Sequence, residues 1–183
     1  MILPYQSKFP LIKKNVFICD GAVIVGDVVL ENDVSVWFNA VIRGDVNYIR
    51  VGAKTNVQDN VMLHVTYKKY PLEIGESVTI GHNAVVHGCK VHDRILIGMS
   101  AVLLDRCIVN SDSLIAAGTV VREGYEVPSG VLVAGVPGKI IRDLTDDEIA
   151  KIKQSAENYL YYVSEYKKNG YNGIKINSAK AFS

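Results

Sequence analysis

The sequence predicts an all-β solenoid, a parallel β-helix of hexapeptide repeats followed by one C-terminal α-helix. Three observations carry this. An aliphatic residue recurs every six positions, a small residue follows four places later, and the phase survives three interruptions. From Ile97 the step of six reaches Leu103, Val109, Ile115 and Val121, with Ala101, Cys107, Ser113 and Thr119 four residues after the first four. In the N-terminal half it runs through Ile18, Ile24, Leu30, Val36 and Ile42. It resumes at Val51, Val57 and Leu63, and again at Ile74, Ile80 and Val86, so sixteen register positions carry sixteen Ile, Val or Leu.

An α-helix needs a period near 3.6 and an ordinary strand needs strict alternation; a period of six fits neither. It fits a triangular coil of about 18 residues per turn, with the aliphatic side chain inward and the small residue at a corner. Stacked turns pair as parallel strands, so each backbone group finds its partner one coil away.

The elements follow in order. Residues 1–142 form the prism, although Met1 to Phe17 is too irregular to assign in detail. The turn-rich stretch Ala134-Gly-Val-Pro-Gly-Lys139 ends it. Thr145 with Glu148 reads as a capping box. Ile149, Ile152, Ala156, Leu160 and Val163 then recur at helical spacing, giving a helical segment over 143–169 that packs on the prism and ends at Gly170. Residues 170–183 are expected to be a flexible tail.

Composition excludes several classes. Apolar residues are 49%, charged residues 21%, and the formal charge is +1, which argues against a nucleic-acid surface. No apolar run approaches the roughly 20 residues of a membrane span, and the N-terminus lacks a signal-peptide pattern, so a cytoplasmic protein is expected. Cys19, Cys89 and Cys107 are too few and too far apart for a disulfide framework or a cysteine zinc site.

The chemistry concentrates in four histidines, His64, His82, His87 and His92. Leu63 and Val86 are three repeats apart, so they share a face one coil apart. His64 and His87 each follow such a residue by one and point outward in a stack. The same count places Arg43 one coil below His64, with Asp45 two residues further along. Gln58 takes the equivalent outward position on a neighbouring face, and His92 lies near the next corner. His82 does not share this register and reads as structural or supporting. Three imidazoles with an open position suit a catalytic zinc. One flat face cannot surround an ion, however, so the site calls for a second subunit.

The segments Arg43-Gly-Asp45, Gln58-Asp-Asn60 to His64, Gly81-His-Asn83 to His87 and Val91-His92-Asp93 resemble the γ-class carbonic anhydrase family over nearly the whole chain. The resemblance implies a left-handed prism and a homotrimer with metal sites at subunit interfaces. It implies zinc, with iron or cobalt as alternatives, held by His64 and His92 of one subunit and His87 of its neighbour. Arg43 and Asp45 would pair across the interface and order the site, and Gln58 would hydrogen-bond the bound water or bicarbonate. Tyr67, or Tyr159 on the helix, would orient the ligand, although helix packing also accounts for Tyr159. The implied activity is that of a lyase in which metal-bound hydroxide attacks carbon dioxide to give bicarbonate. Two features depart from the family. Val46 stands where a Glu follows Asp45. The insertion from Thr66 to Glu73 is short and basic where the family has an acidic loop with a proton-shuttle Glu, which predicts slower hydration. Competing readings are an acyl- or acetyl-CoA transferase on the same prism, and a metal-dependent thioesterase or scaffold subunit.

Overall fold

The computed structural model describes residues 1–174 and is a left-handed parallel β-helix of about seven turns with one C-terminal helix. Each coil contributes short strands to three faces. Face 1 is built from Phe17–Ile18, Ser35–Val36, Asn56–Val57, Thr79–Ile80, Leu96–Ile97, Leu114–Ile115 and Val131–Ala134. The long strands Val23–Leu30 and Val41–Val51 bend from face 2 into face 3. Face 2 continues through Met62–His64, Val85–His87, Val102–Leu103 and Val120–Val121. Face 3 continues through Leu72–Ile74, Lys90–Val91, Ile108–Val109 and Glu126–Val127.

The register matches the six-residue count. Leu63 pairs with Ile42 below and Val86 above, and His87 pairs with His64. The inward aliphatics are sealed: Ile97, Leu103, Val109, Ile115 and Val121 are all fully buried. The edge between faces 1 and 2 turns through Asn39, Asn60, Asn83 and Ser100, all at φ of 58–60°. Asn tolerates this left-handed conformation better than most residues, which explains its repetition there. Because each coil rests on its neighbours, removing one inward side chain leaves a void that rigid strands cannot close. Leu103→Ala is expected to cost about 2–5 kcal/mol. At roughly 2–4 °C per kcal/mol for a chain of this size, thermal unfolding followed by circular dichroism should show a drop of roughly 5–20 °C.

The helix spans Asp146–Lys168 and starts with the expected capping box: the Glu148 N–H donates to Thr145 Oγ1 at 3.3 Å, and the Thr145 N–H donates to Glu148 Oε2 at 3.0 Å. Its buried residues Ile152, Ala156 and Val163 face the prism. Thr79 Oγ1 donates to Ser155 Oγ at 3.1 Å, so the helix covers face 1.

Two features lie outside the repeat reading. After the turn at Gly135–Gly138 the chain folds back as an antiparallel strand, Lys139–Asp143, against Val131–Ala134. Residues 171–174, expected to be loose, dock on the first coil instead. The Asp20 N–H donates to the Tyr171 hydroxyl at 2.8 Å, and the Ile174 N–H donates to Ile18 O at 2.8 Å. The rest of the tail, residues 175–183, lies outside the described residues. Among the described residues no helix is long and apolar enough to cross a membrane.

Candidate metal centre

Face 2 has two edges, and each carries an imidazole anchored by a carboxylate. At the far edge, where face 2 turns towards face 3, His64 and His87 stack with ring centroids 5.0 Å apart and His64 Nδ1 3.1 Å from His87 Nε2. Asp45 Oδ1 lies 3.1 Å from His64 Nε2, and the other oxygen of Asp45 pairs with Arg43 within the same chain. Asp105 Oδ1 lies 2.6 Å from His87 Nδ1, while Thr66 Oγ1 donates to Asp105 Oδ2 at 2.6 Å. The array runs Arg43–Asp45–His64–His87–Asp105–Thr66.

Its proton count is informative. Three contacts link the two carboxylates and two imidazoles, and each contact needs one proton. Two neutral imidazoles carry only two. One contact therefore opposes lone pairs unless a cation enters, so this donor set fits a metal ion. Burial, with the charges of Arg43 and His87, holds the His64 imidazole below its ordinary pKa despite Asp45. The neutral, metal-binding form is thereby favoured. Burial raises the Asp45 carboxyl, but hydrogen bonds from Arg43 and His64 outweigh it and leave its pKa low.

At the near edge, between faces 1 and 2, His82 Nδ1 lies 2.7 Å from Asp59 Oδ2. The His82 N–H donates to Gln58 Oε1 at 3.1 Å, and Gln58 Nε2 donates to Asn56 Oδ1 at 3.1 Å. Gln58 is thus buried and locked, with one amide hydrogen unengaged among the described residues. Tyr159 packs edge-on against Trp37 with centroids 5.3 Å apart. Burial, with the charges of Asp59 and Tyr162, pushes its phenol up to about 12. Asp105 and Asp59 hold His87 and His82 through Nδ1, the carboxylate–histidine arrangement that leaves Nε2 to face a metal, whereas Asp45 holds His64 through Nε2 and leaves its Nδ1 turned to His87.

One chain brings together some of the sequence candidates and separates others. His64 and His87 meet, with Arg43 and Asp45 beside them. Gln58 and Tyr159 sit near the opposite edge of the face. His92 follows Val91 at the end of face 3 and belongs to the third edge of the prism. Among the described residues its side chain has no hydrogen-bond partner, and no three His, Cys, Asp or Glu side chains converge on a metal position within one chain. This differs from the split implied by the resemblance, in which His64 and His92 belong to one subunit and His87 to the next. Sequence reading missed Asp105 and Asp59. Both were within reach of the repeat count, Asp105 two places after Leu103 and Asp59 two after Val57.

A left-handed prism of hexapeptide coils with histidine–carboxylate pairs on its outer edges defines a hexapeptide-repeat protein. Residues 9–44 match the bacterial transferase hexapeptide family (six repeats). The chain is 46% identical to Arabidopsis thaliana γ carbonic anhydrase 2, mitochondrial, over 84% of this chain and 57% of that protein. It is 47% identical to a probable carbonic anhydrase of Methanocaldococcus jannaschii, over 82% of this chain and 94% of that protein. A hexapeptide transferase family protein from Anaplasma phagocytophilum superposes with a TM-score of 0.87 at 37% identity, over 91% of this chain and 98% of that one. The chain belongs to the γ-carbonic anhydrase family. It spans 57–58% of the length of the two Arabidopsis mitochondrial γ carbonic anhydrases, 1 and 2.

Proposed function

We propose that this chain is a metalloenzyme interconverting carbon dioxide and bicarbonate, with its metal shared between neighbouring copies of a homotrimer. The observation that carries this reading is the placement of carboxylate-anchored imidazoles at both edges of one apolar face. The outward residues of face 2 are Val23, Val41, Met62, Val85, Val102 and Val120. The equivalent positions on face 3 include Arg50, Glu73, Lys90 and Glu126. Face 1 is covered by the helix, so face 2 is the surface best suited to another copy. A cyclic trimer joins unlike edges of neighbouring subunits. Packing on face 2 brings the far edge of one copy to the near edge of the next.

The proposed ligands are therefore His64 and His87 of one copy and His82 of its neighbour. His82 replaces His92 as the third ligand for two reasons. It lies on an edge of face 2, whereas His92 lies on the opposite edge of the prism. It is also anchored by Asp59, whereas among the described residues His92 has no such anchor. Gln58 and Tyr159 arrive at the site with His82.

Imidazole nitrogens suit zinc and also accept iron or cobalt. Such a metal, when bound, acts as a Lewis acid that lowers the pKa of a coordinated water to about 7. The protein's own groups do the rest. Arg43 and Asp45 orient the His64 ring, and Asp105 and Asp59 orient His87 and His82. The free amide hydrogen of Gln58 positions a substrate oxygen. Tyr159 keeps its proton throughout the neutral range and so can donate a hydrogen bond there.

Metal analysis, stopped-flow carbon dioxide hydration and solution mass test the reading together. The expected result is about one metal per chain, measurable hydration, and a mass near three times the 20.1 kDa chain. A monomer, or clean protein without metal, contradicts it. Acetyl transfer independent of metal supports the transferase reading, which the Anaplasma neighbour favours and in which His82, paired with Asp59, is the natural base.

A further inference from the structure

The far edge of face 2 also carries a basic loop that the metal site leaves unexplained. After His64 the chain leaves the face, and residues Thr66 to Tyr70 stand off the corner. This loop is held at several points. Thr66 and Tyr70 bridge one another, Asn47 Nδ2 donates to Thr66 O at 3.3 Å, and the Lys68 N–H donates to Val46 O at 3.2 Å. Thr66 Oγ1 also donates to Asp105, the carboxylate that anchors His87, so the loop is mounted directly on the array. Lys68 and Lys69 are exposed at its tip, and among the described residues neither forms a salt bridge. Lys68 Nζ lies 5.0 Å from the centroid of the Tyr67 ring.

The nearby carboxylates Asp45 and Asp105 carry two negative charges against three positive ones on Arg43, Lys68 and Lys69, and a bound divalent ion would add two more. Asp45 is engaged by Arg43 and His64, and Asp105 by His87 and Thr66. A loaded site would therefore present a positive field to solvent. Carbon dioxide is neutral and gains nothing from that field. A departing proton is repelled by it, and a bicarbonate ion is attracted.

We propose that Lys68 and Lys69 form an anion-capture mouth and that the ligand they draw in is bicarbonate. This rests on the reading of the far edge as half of the metal site, and it assigns the loop to anion binding rather than to metal binding. The test is calorimetric titration of the zinc-loaded trimer with sodium bicarbonate, for wild type, Lys68→Gln/Lys69→Gln and Lys68→Glu/Lys69→Glu.

At 0.01 M ionic strength, charge reversal should weaken bicarbonate binding about tenfold. At 0.15 M, screening should shrink the effect to about threefold. The neutral variant should fall between, with zinc content and melting temperature unchanged in all three. Equal bicarbonate affinity in the three zinc-loaded proteins, or an effect indifferent to salt, overturns the mouth alone. Wild-type protein that holds no zinc overturns the reading of the site and the mouth with it.

Discussion

Protein carrying His87→Ala is expected to purify with its metal reduced from about one ion per chain to background, and with carbon dioxide hydration lowered by more than about 100-fold. The floor on that number comes from outer partners: removing a group that merely orients a metal ligand costs about 10–100-fold in metal affinity or activity. His87 is proposed as a ligand, so its loss must exceed that range. The structure explains why the fold should survive. Val86, fully buried, holds the coil together, whereas His87 points outward with its side chain 31% exposed. Far-ultraviolet circular dichroism should therefore match wild type while metal analysis does not. Asp105→Asn is the graded control. It keeps the volume and a hydrogen-bonding oxygen but removes the charge that fixes His87 Nδ1–H, so metal affinity should fall about 10–100-fold. A His87→Ala protein that keeps its full metal complement would remove the far edge from the site.

Much of the prism was legible because its physics is periodic. One inward aliphatic per six residues is a packing requirement repeated in every coil, so register could be counted across the interruptions. That count placed His64 over Arg43 and under His87, where the backbone ladders place them. The capping box at Thr145 was legible for a different reason, because it is a local arrangement of two side chains.

What the count could not supply was which edges of the prism flank its apolar face. The outward positions of face 2 are Val, Val, Met, Val, Val and Val, but this becomes a stripe only when one face is sorted from the other two. Without that sorting, His82 and His92 stood five residues either side of His87 and looked interchangeable. The fold separates them. His82 lies one coil above Asp59 on an edge of the apolar face, and His92 lies behind it. The antiparallel strand Lys139–Asp143 was invisible because its pairing is a tertiary return outside the repeat.

A site shared between copies, as proposed, predicts an outcome that a site within one chain could not produce. His82→Ala and His87→Ala should each abolish metal binding alone, yet restore part of it when their subunits are mixed. In a cyclic trimer each site joins the far edge of one copy to the near edge of the next. A His82→Ala copy still offers His64 and His87, and a His87→Ala copy still offers His82. Every mixed trimer therefore contains one junction at which an intact far edge meets an intact near edge. Random assembly of equal amounts gives mixed trimers in about three cases of four, so about one quarter of all sites should recover metal and hydration. The mixture is made by co-expression or by joint refolding, and read by metal analysis against each variant alone. Pairing His82→Ala with a His64→Ala copy should give the same quarter, because His64 and His87 share an edge. Pairing His64→Ala with His87→Ala should give nothing, since no junction then has a complete far edge. Full metal in His82→Ala alone, with loss in His92→Ala, would return the third ligand to His92.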